Sequence, residues 1–399
     1  MDNYNKMSAV ELLEYIQLEY LKLNGSNVSS MSDVASLMKD FLKVILGKND
    51  VTEEYLYIVD KYKDVVLPTK YQDPITYYML LDIVKGIDEI KDAVLEGFPS
   101  SNTKIPLFGT VNFHVFSAEI CTTKCTDKLI IISGGLFTYA NLISKVVAQT
   151  FPIIGDGEFS TDINKILQHV QNTPNIKLRY FDLMMACLFT NKAPKARQYF
   201  INMNLNNLVE VIRHSFEVFI VAHEYAHSLL GHLDDKNINN TVPIETFDDL
   251  DVKQIFHNWE DEIQADLLGA ALTLGVMNKK GYDSFLAMIG IIVCTNSFEQ
   301  FDLINALRSK NEKDLSTTHP PGTLRQSVLI EYFFYESDVK LFPIINSILN
   351  NLWSEFVDFH NWLKGKIEEV YNVDIYNMPF REIQNILYEI FKTNFLTES

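Results

Sequence analysis

Residues 208–230 read LVEVIRHSFEVFIVAHEYAHSLL, a largely apolar stretch that carries His223-Glu224-Tyr225-Ala226-His227 near its end. Its apolar density predicts a buried helix. Side chains four apart lie one above the other on one helix face, so the imidazoles of His223 and His227 can grip a single ion. Neutral imidazole is a favoured zinc ligand. Glu224 follows the first histidine and points about 100° around the helix, which sets it beside a bound metal rather than on it. A general base acting on a metal-bound water belongs there. H-E-x-x-H arises by chance in roughly one chain in a hundred of this composition, so the motif needs a third ligand before it counts as a site.

Two histidine candidates fail. In H-E-x-x-H-x-x-G-x-x-H sites a third histidine closes the metal shell; here Leu230 and Leu233 stand at the Gly and final His positions. His232 lies nine residues beyond His223. If the helix continues, nine steps of about 100° carry it to the opposite side. His232 therefore reads as a helix-end or surface histidine, where a cation suits the helix C-terminus. The alternative is a carboxylate from a second helix. Trp259-Glu260-Asp261-Glu262-Ile263-Gln264-Ala265-Asp266 opens a strongly apolar helix running to Met277. Glu262 and Asp266 share a face by the same spacing. Glu262 can complete a two-His-one-Glu set with the fourth position left to water. Asp266 sits at the start of the apolar run, where a buried carboxylate needs a partner. It can accept a hydrogen bond from the non-ligating nitrogen of His223 and fix its tautomer. Glu260 and Asp261 read as first-turn charges favoured by the helix dipole. The expected cofactor is one Zn2+ per chain, held by His223, His227 and Glu262.

Working outward, residues 1–104 read as a helical region. Ser8 and Glu11 make a capping box, Ser32 and Thr52 can cap two further helices, and Asp73-Pro74 suits another start. Gly97-Phe98-Pro99-Ser100-Ser101-Asn102 is a loop and a boundary. Residues 105–132 are rich in Val, Ile, Phe and Thr. Lys128–Ser133 is the best strand, ended by Gly134-Gly135 and followed by a helical pattern over 136–149. Residues 152–175 look irregular and polar, as a surface insertion would. Helical periodicity dominates from about 178 to the C-terminus, broken by an Asn- and Asp-rich loop over 234–251. The fold class is α+β, mainly α. A catalytic domain with a small sheet covers 105–335, with an insertion near 150–205. Helical regions over 1–104 and 336–399 flank it.

The chain has 399 residues and a net charge of −18. Such a balance repels phosphate backbones and anionic membrane surfaces, which argues against nucleic acid as a partner. Cys121 and Cys125, four apart, invite a metal or disulfide reading, but no second pair or nearby histidine completes a structural zinc site. Four cysteines in a chain this long read as free thiols of a reducing compartment. The N-terminus MDNYNKMSAVELLEYIQ lacks the basic and apolar segments of a secretory signal. The longest apolar runs, over 265–277 and 285–294, fall short of the roughly 18 residues that span a bilayer. The expectation is a soluble cytoplasmic protein without a membrane span. The residues do not set its oligomeric state.

With these residues in hand, the chain resembles the gluzincin metallopeptidases, most of all the family of the CaaX prenyl endopeptidases and the bacterial heat-shock zinc peptidase. The family's pattern is H-E-x-x-H, then E-x-x-x-D, then H-P-x-x-x-x-R. Here these stand in order as His223–His227, Glu262–Asp266 and His319-Pro320-Pro321-Gly322-Thr323-Leu324-Arg325. The resemblance implies a zincin-like domain over roughly residues 105–335. It also implies that His319 steadies the oxyanion and that Arg325 organises that region. On the residues alone, His319 lies in a Pro-Pro-Gly turn, with Arg325 exposed on the helix that follows. Ile130-Ile131-Ile132-Ser133-Gly134-Gly135-Leu136-Phe137 looks like the family's strand and Gly-Leu turn upstream of the zinc helix. In the family this is the edge strand against which substrate backbone lies, which makes Ile132, Ser133, Gly134 and Gly135 the implied substrate-binding residues. Familiar members carry transmembrane helices and this chain shows none, so prenylated membrane substrates do not follow. A competing resemblance is to the phage-exclusion peptidase Lit, a soluble relative.

The expected activity is endopeptidase cleavage of a protein or peptide substrate, with Glu224 activating a zinc-bound water. Two other readings stand beside it. One is a non-enzymatic interaction protein on a degenerate peptidase scaffold, against which the complete catalytic set argues. The other is a dormant defence or toxin protease with one cellular target.

Overall fold

The computed structural model describes residues 7–23, 39, 42–43, 49–98, 105–111, 117–123, 127–155, 158–233, 241–243, 253–255, 259–309, 320–334 and 340–395. In chain order the elements are α1 (Ala9–Leu23), α2 (Thr52–Tyr62), α3 (Pro74–Asp88), α4 (Lys91–Leu95), β1 (Leu107–Val111), β2 (Ala118–Thr122), β3 (Lys128–Ser133), α5 (Gly134–Ala148), β4 (Ile153–Ile154), β5 (Glu158–Phe159), α6 (Ile163–Asn172), α7 (Pro174–Thr190), α8 (Asn206–Leu229), β6 (Thr241–Pro243), β7 (Lys253–Ile255), α9 (Trp259–Lys279), α10 (Ser284–Ser309), α11 (Gly322–Phe334), α12 (Leu341–Tyr371) and α13 (Phe380–Phe395). The protein is mainly helical with a small sheet, as the α+β reading expects. It divides into two compact units. The first comprises Met1–Phe137, Glu217–Ser284 and Thr317–Pro320; the second comprises Thr138–Phe216, Phe285–Ser316 and Pro321–Ser399.

The first unit is built on a three-stranded sheet in the order β1-β3-β2, with β1 parallel and β2 antiparallel to β3. Every residue of β3 is buried. On one face Leu129 and Ile131 pack with Leu12, Leu13, Ile16 and Tyr20 of α1. Leu13 is fully buried, which contributes about 2 kcal/mol relative to an exposed leucine. It reaches the strand because residue 109 is glycine: a Cβ there would fall 2.5 Å from Leu13 Cδ2. On the other face Phe108, in register with Ile130, meets the ring of Tyr225 edge-on at 5.3 Å. The α1 start is the expected capping box, with Ser8 N donating to Glu11 Oε2 at 2.8 Å and Glu11 N to Ser8 Oγ at 3.4 Å. Asp73 caps α3 by accepting from Thr76 N at 2.9 Å. Thr52 is not a cap: Val51 holds that position, and the Thr52 amide donates to Asp50 Oδ1 at 3.0 Å. Ser32 and Cys125 lie outside the described residues, whereas Cys121, Cys187 and Cys294 are buried and outside any disulfide.

One expectation is corrected here. β3 is the central strand, paired along its length by β1 on one side and β2 on the other. Its backbone is taken, so it is not an edge against which a peptide can lie. The unbroken apolar run of β3 is the pattern of a strand covered on both faces; an edge strand half open to water would alternate.

In the second unit α7 is buried almost all round, from Ile176 to Leu188. Its Asp182 is buried and accepts from Arg197 N and Gln384 Nε2, each at 2.7 Å. The described residues of 152–175 are regular rather than irregular: β4 and β5 pair antiparallel, and α6 starts on Asp162, whose side chain accepts from Asn164 N and Lys165 N. Its apolar residues Ile163, Ile166, Leu167 and Val170 follow the i, i+3, i+4, i+7 spacing of an amphipathic helix, with Ile166 buried, so the period was present among the polar residues of this stretch. Within α10, Ser284–Arg308 is long and apolar enough to cross a membrane by length and composition, and 67% of that window is buried inside the protein. A buried core helix meets the same criteria.

Candidate metal centre

α8 and α9 meet at the site within the first unit. Gly269 of α9 sits against the His223 backbone, where a Cβ would lie 3.1 Å from both His223 Cα and N. This close approach lets short carboxylate side chains from α9 reach the histidines of α8. Gly269→Ala is therefore expected to push the helices apart by a few tenths of an ångström and to weaken metal binding, because ligand distances tolerate only about 0.2 Å. A chelator competition assay checks this; unchanged affinity would show that the crossing is not what sets the site.

His223, His227 and Glu262 form a buried group able to hold a metal ion, with ligand atoms all within 4.8 Å of one another. The separations are tight. His223 Nε2 and His227 Nε2 are 3.3 Å apart. Glu262 turns one oxygen toward each, at 3.4 Å from His223 Nε2 and 3.4 Å from His227 Nε2. Ligands at the 2.0–2.2 Å bond lengths of tetrahedral zinc stand about 3.3–3.5 Å apart; the two nitrogens stand at that separation and each has one Glu262 oxygen at it, so the donor types and spacing suit zinc. Charge points the same way. Glu262 and Asp266 are each 1% exposed. Two carboxylates buried together carry negative charge that a dication would offset.

Asp266 lies where the expected role needs it, with Oδ1 3.0 Å from His223 Nδ1. Burial by itself lowers the pKa of His223; the hydrogen bonds and charges of Asp266 and Glu262 outweigh it and raise it to about 10. In the metal-free protein this group therefore stabilises the fold fully below its ordinary pKa of about 6.5, and that contribution is lost as pH rises through the raised value. A ligating histidine must be neutral. Metal uptake near pH 7.5 is thus expected to release a proton, readable by calorimetry in buffers of different ionisation enthalpy. No release would mean that His223 is already neutral.

Glu224 is buried with the histidines. Burial, then the charges of Glu119 and Glu224, hold the Cys121 thiol well above its usual range, which places Glu224 within electrostatic reach of β2. Tyr225 anchors the helix from its other side. Its hydroxyl donates to Asp88 Oδ1 at 3.2 Å and accepts from Lys91 Nζ at 3.3 Å. Gly134 and Gly135 form the first turn of α5.

His232 stands at the helix end, one of the two expected places, but is not at the surface. It is 8% exposed, and its Nδ1 lies 3.0 Å from His227 Nδ1. The nine-step angle holds only in a continuing helix, whereas α8 ends at Leu229 and Gly231 takes φ 76°. The glycine just before His232 was the available signal. Arg325 is not exposed either: it is 1% exposed in the second unit, its guanidinium 4.8 Å from the centre of the Phe298 ring. His319 lies outside the described residues.

Compared with protein-family models, with curated proteins and with solved structures, the chain matches none.

Proposed function

We propose that the chain is a zinc-dependent endopeptidase of gluzincin type with a zincin-like catalytic domain. The observation that carries this reading is the buried group of His223 Nε2 and His227 Nε2, 3.3 Å apart on the helix that also bears Glu224, with one oxygen of Glu262 3.4 Å from each. Zinc in such a site supplies Lewis acidity, which lowers the pKa of a water and offsets negative charge growing on a carbonyl oxygen. Glu224 accepts the proton of the attacking water on its carboxylate and returns it to the nitrogen of the leaving amine. Asp266 holds the Nδ1 proton of His223, so that Nε2 presents its lone pair. The oxyanion role of His319 and the organising role of Arg325 rest on the family resemblance. A substrate backbone that added to the sheet would take β2 or β1, since β3 is paired on both sides.

The test is metal content together with cleavage. Purified protein should hold about one zinc per chain, the stoichiometry of a single catalytic site, and should cut at least one protein in a cell lysate. Iron in place of zinc, or no metal, overturns the proposal. Inactivity on casein with a single cut band in lysate would identify a protease restricted to one target.

A further inference from the structure

We propose that His232 is a positioning residue for the metal ligand His227, an inference that rests on reading this site as a metal centre. The backbone explains why His232 is there. Gly231, in the left-handed region at φ 76°, turns the chain back at the end of α8. Its N–H donates to Ser228 O at 3.3 Å, and His232 N–H donates to His227 O at 3.1 Å. This pair of bonds is the Schellman closure of a helix, in which the residue after the glycine sits over the residue five positions earlier. The two side chains so stacked usually make an apolar contact. Here both are imidazoles, 5.2 Å between ring centres.

The hydrogen bonds run in one direction. With Nε2 of His227 turned toward His223 and Glu262 as an acceptor atom, the proton of its ring belongs on Nδ1. Nδ1–H then donates to His232 Nδ1 at 3.0 Å. This makes Nε2 the protonated nitrogen of His232, and it donates to Gln264 Oε1 at 3.3 Å. Gln264 Nε2 in turn donates to Glu260 Oε1 at 3.3 Å. The chain ends on α9, two residues from Glu262. His232 thus sets the tautomer and ring angle of one ligand, as Asp266 does for the other, and connects the end of α8 to the helix that supplies the third.

The experiment compares His232→Leu, which removes the acceptor, with His232→Asn, whose Oδ1 can take the place of Nδ1. Zinc affinity is measured by competition with a chromophoric chelator, and the melting temperature of each metal-free protein is recorded. The leucine variant is expected to bind zinc about 10–100-fold more weakly, and the asparagine variant to recover most of that loss. The metal-free melting temperatures should stay close to one another, since the Schellman closure depends on Gly231 and backbone groups. Wild-type affinity in the leucine variant, or equal losses in both, overturns the assignment and leaves His232 a packing residue. If the wild-type protein takes up no zinc, the metal-centre reading fails, and the role of His232 fails with it.

Discussion

Glu224→Gln is expected to keep about one zinc per chain, the single-site stoichiometry, and to lose cleavage by about 100-fold or more, the usual contribution of a positioned general base. The substitution preserves shape and removes the carboxylate that accepts the proton. It leaves His223, His227 and Glu262 untouched, so metal content separates loss of chemistry from loss of the site. The comparison is made on the protein cut in lysate, wild type beside variant. A fully active variant would falsify the assignment of Glu224 as base. A variant that lost both metal and activity would mean that Glu224 supports the site structurally.

The second large effect is on the metal. Glu262→Ala should reduce bound zinc from about one per chain to a small fraction, because three protein ligands are the working set of a catalytic zinc site and this removes one. Stability reports the same event independently of activity. A ligand present at a thousandfold its Kd stabilises the folded state by about 4 kcal/mol. Added zinc should therefore raise the melting temperature of the wild-type protein and leave that of Glu262→Ala unmoved. An equal rise in both would place the metal elsewhere. Full zinc content in the variant would show that Glu262 is not a ligand.

The fold was legible in the sequence where local rules decide it. The capping box at Ser8 and Glu11 and the Asp73-Pro74 start formed as read, since each depends on residues within one turn. α6 was legible too, since Ile163, Ile166, Leu167 and Val170 keep the helical spacing; the polar residues between them are what make the stretch read as irregular. The central place of β3 was misread through the family's edge strand, although its unbroken apolar run was in view. His232 was legible as a helix-end residue, but its turn back toward His227 was not, because the angular count holds only for a helix that continues past Gly231.

The site divides in the same way. By itself the sequence determined that His223 and His227 share one helix face with Glu224 turned aside, and that Glu262 and Asp266 share a face of another. Those statements follow from the helical period and need no partner. Only the tertiary structure decided that the two faces meet, and at what separation. The crossing at Gly269 brings Glu262 to 3.4 Å from both imidazole nitrogens and Asp266 to 3.0 Å from His223. The period of a helix fixes which side chains point together, but the distance between two helices is set by the smallest residue at their contact, and no spacing within either helix encodes it.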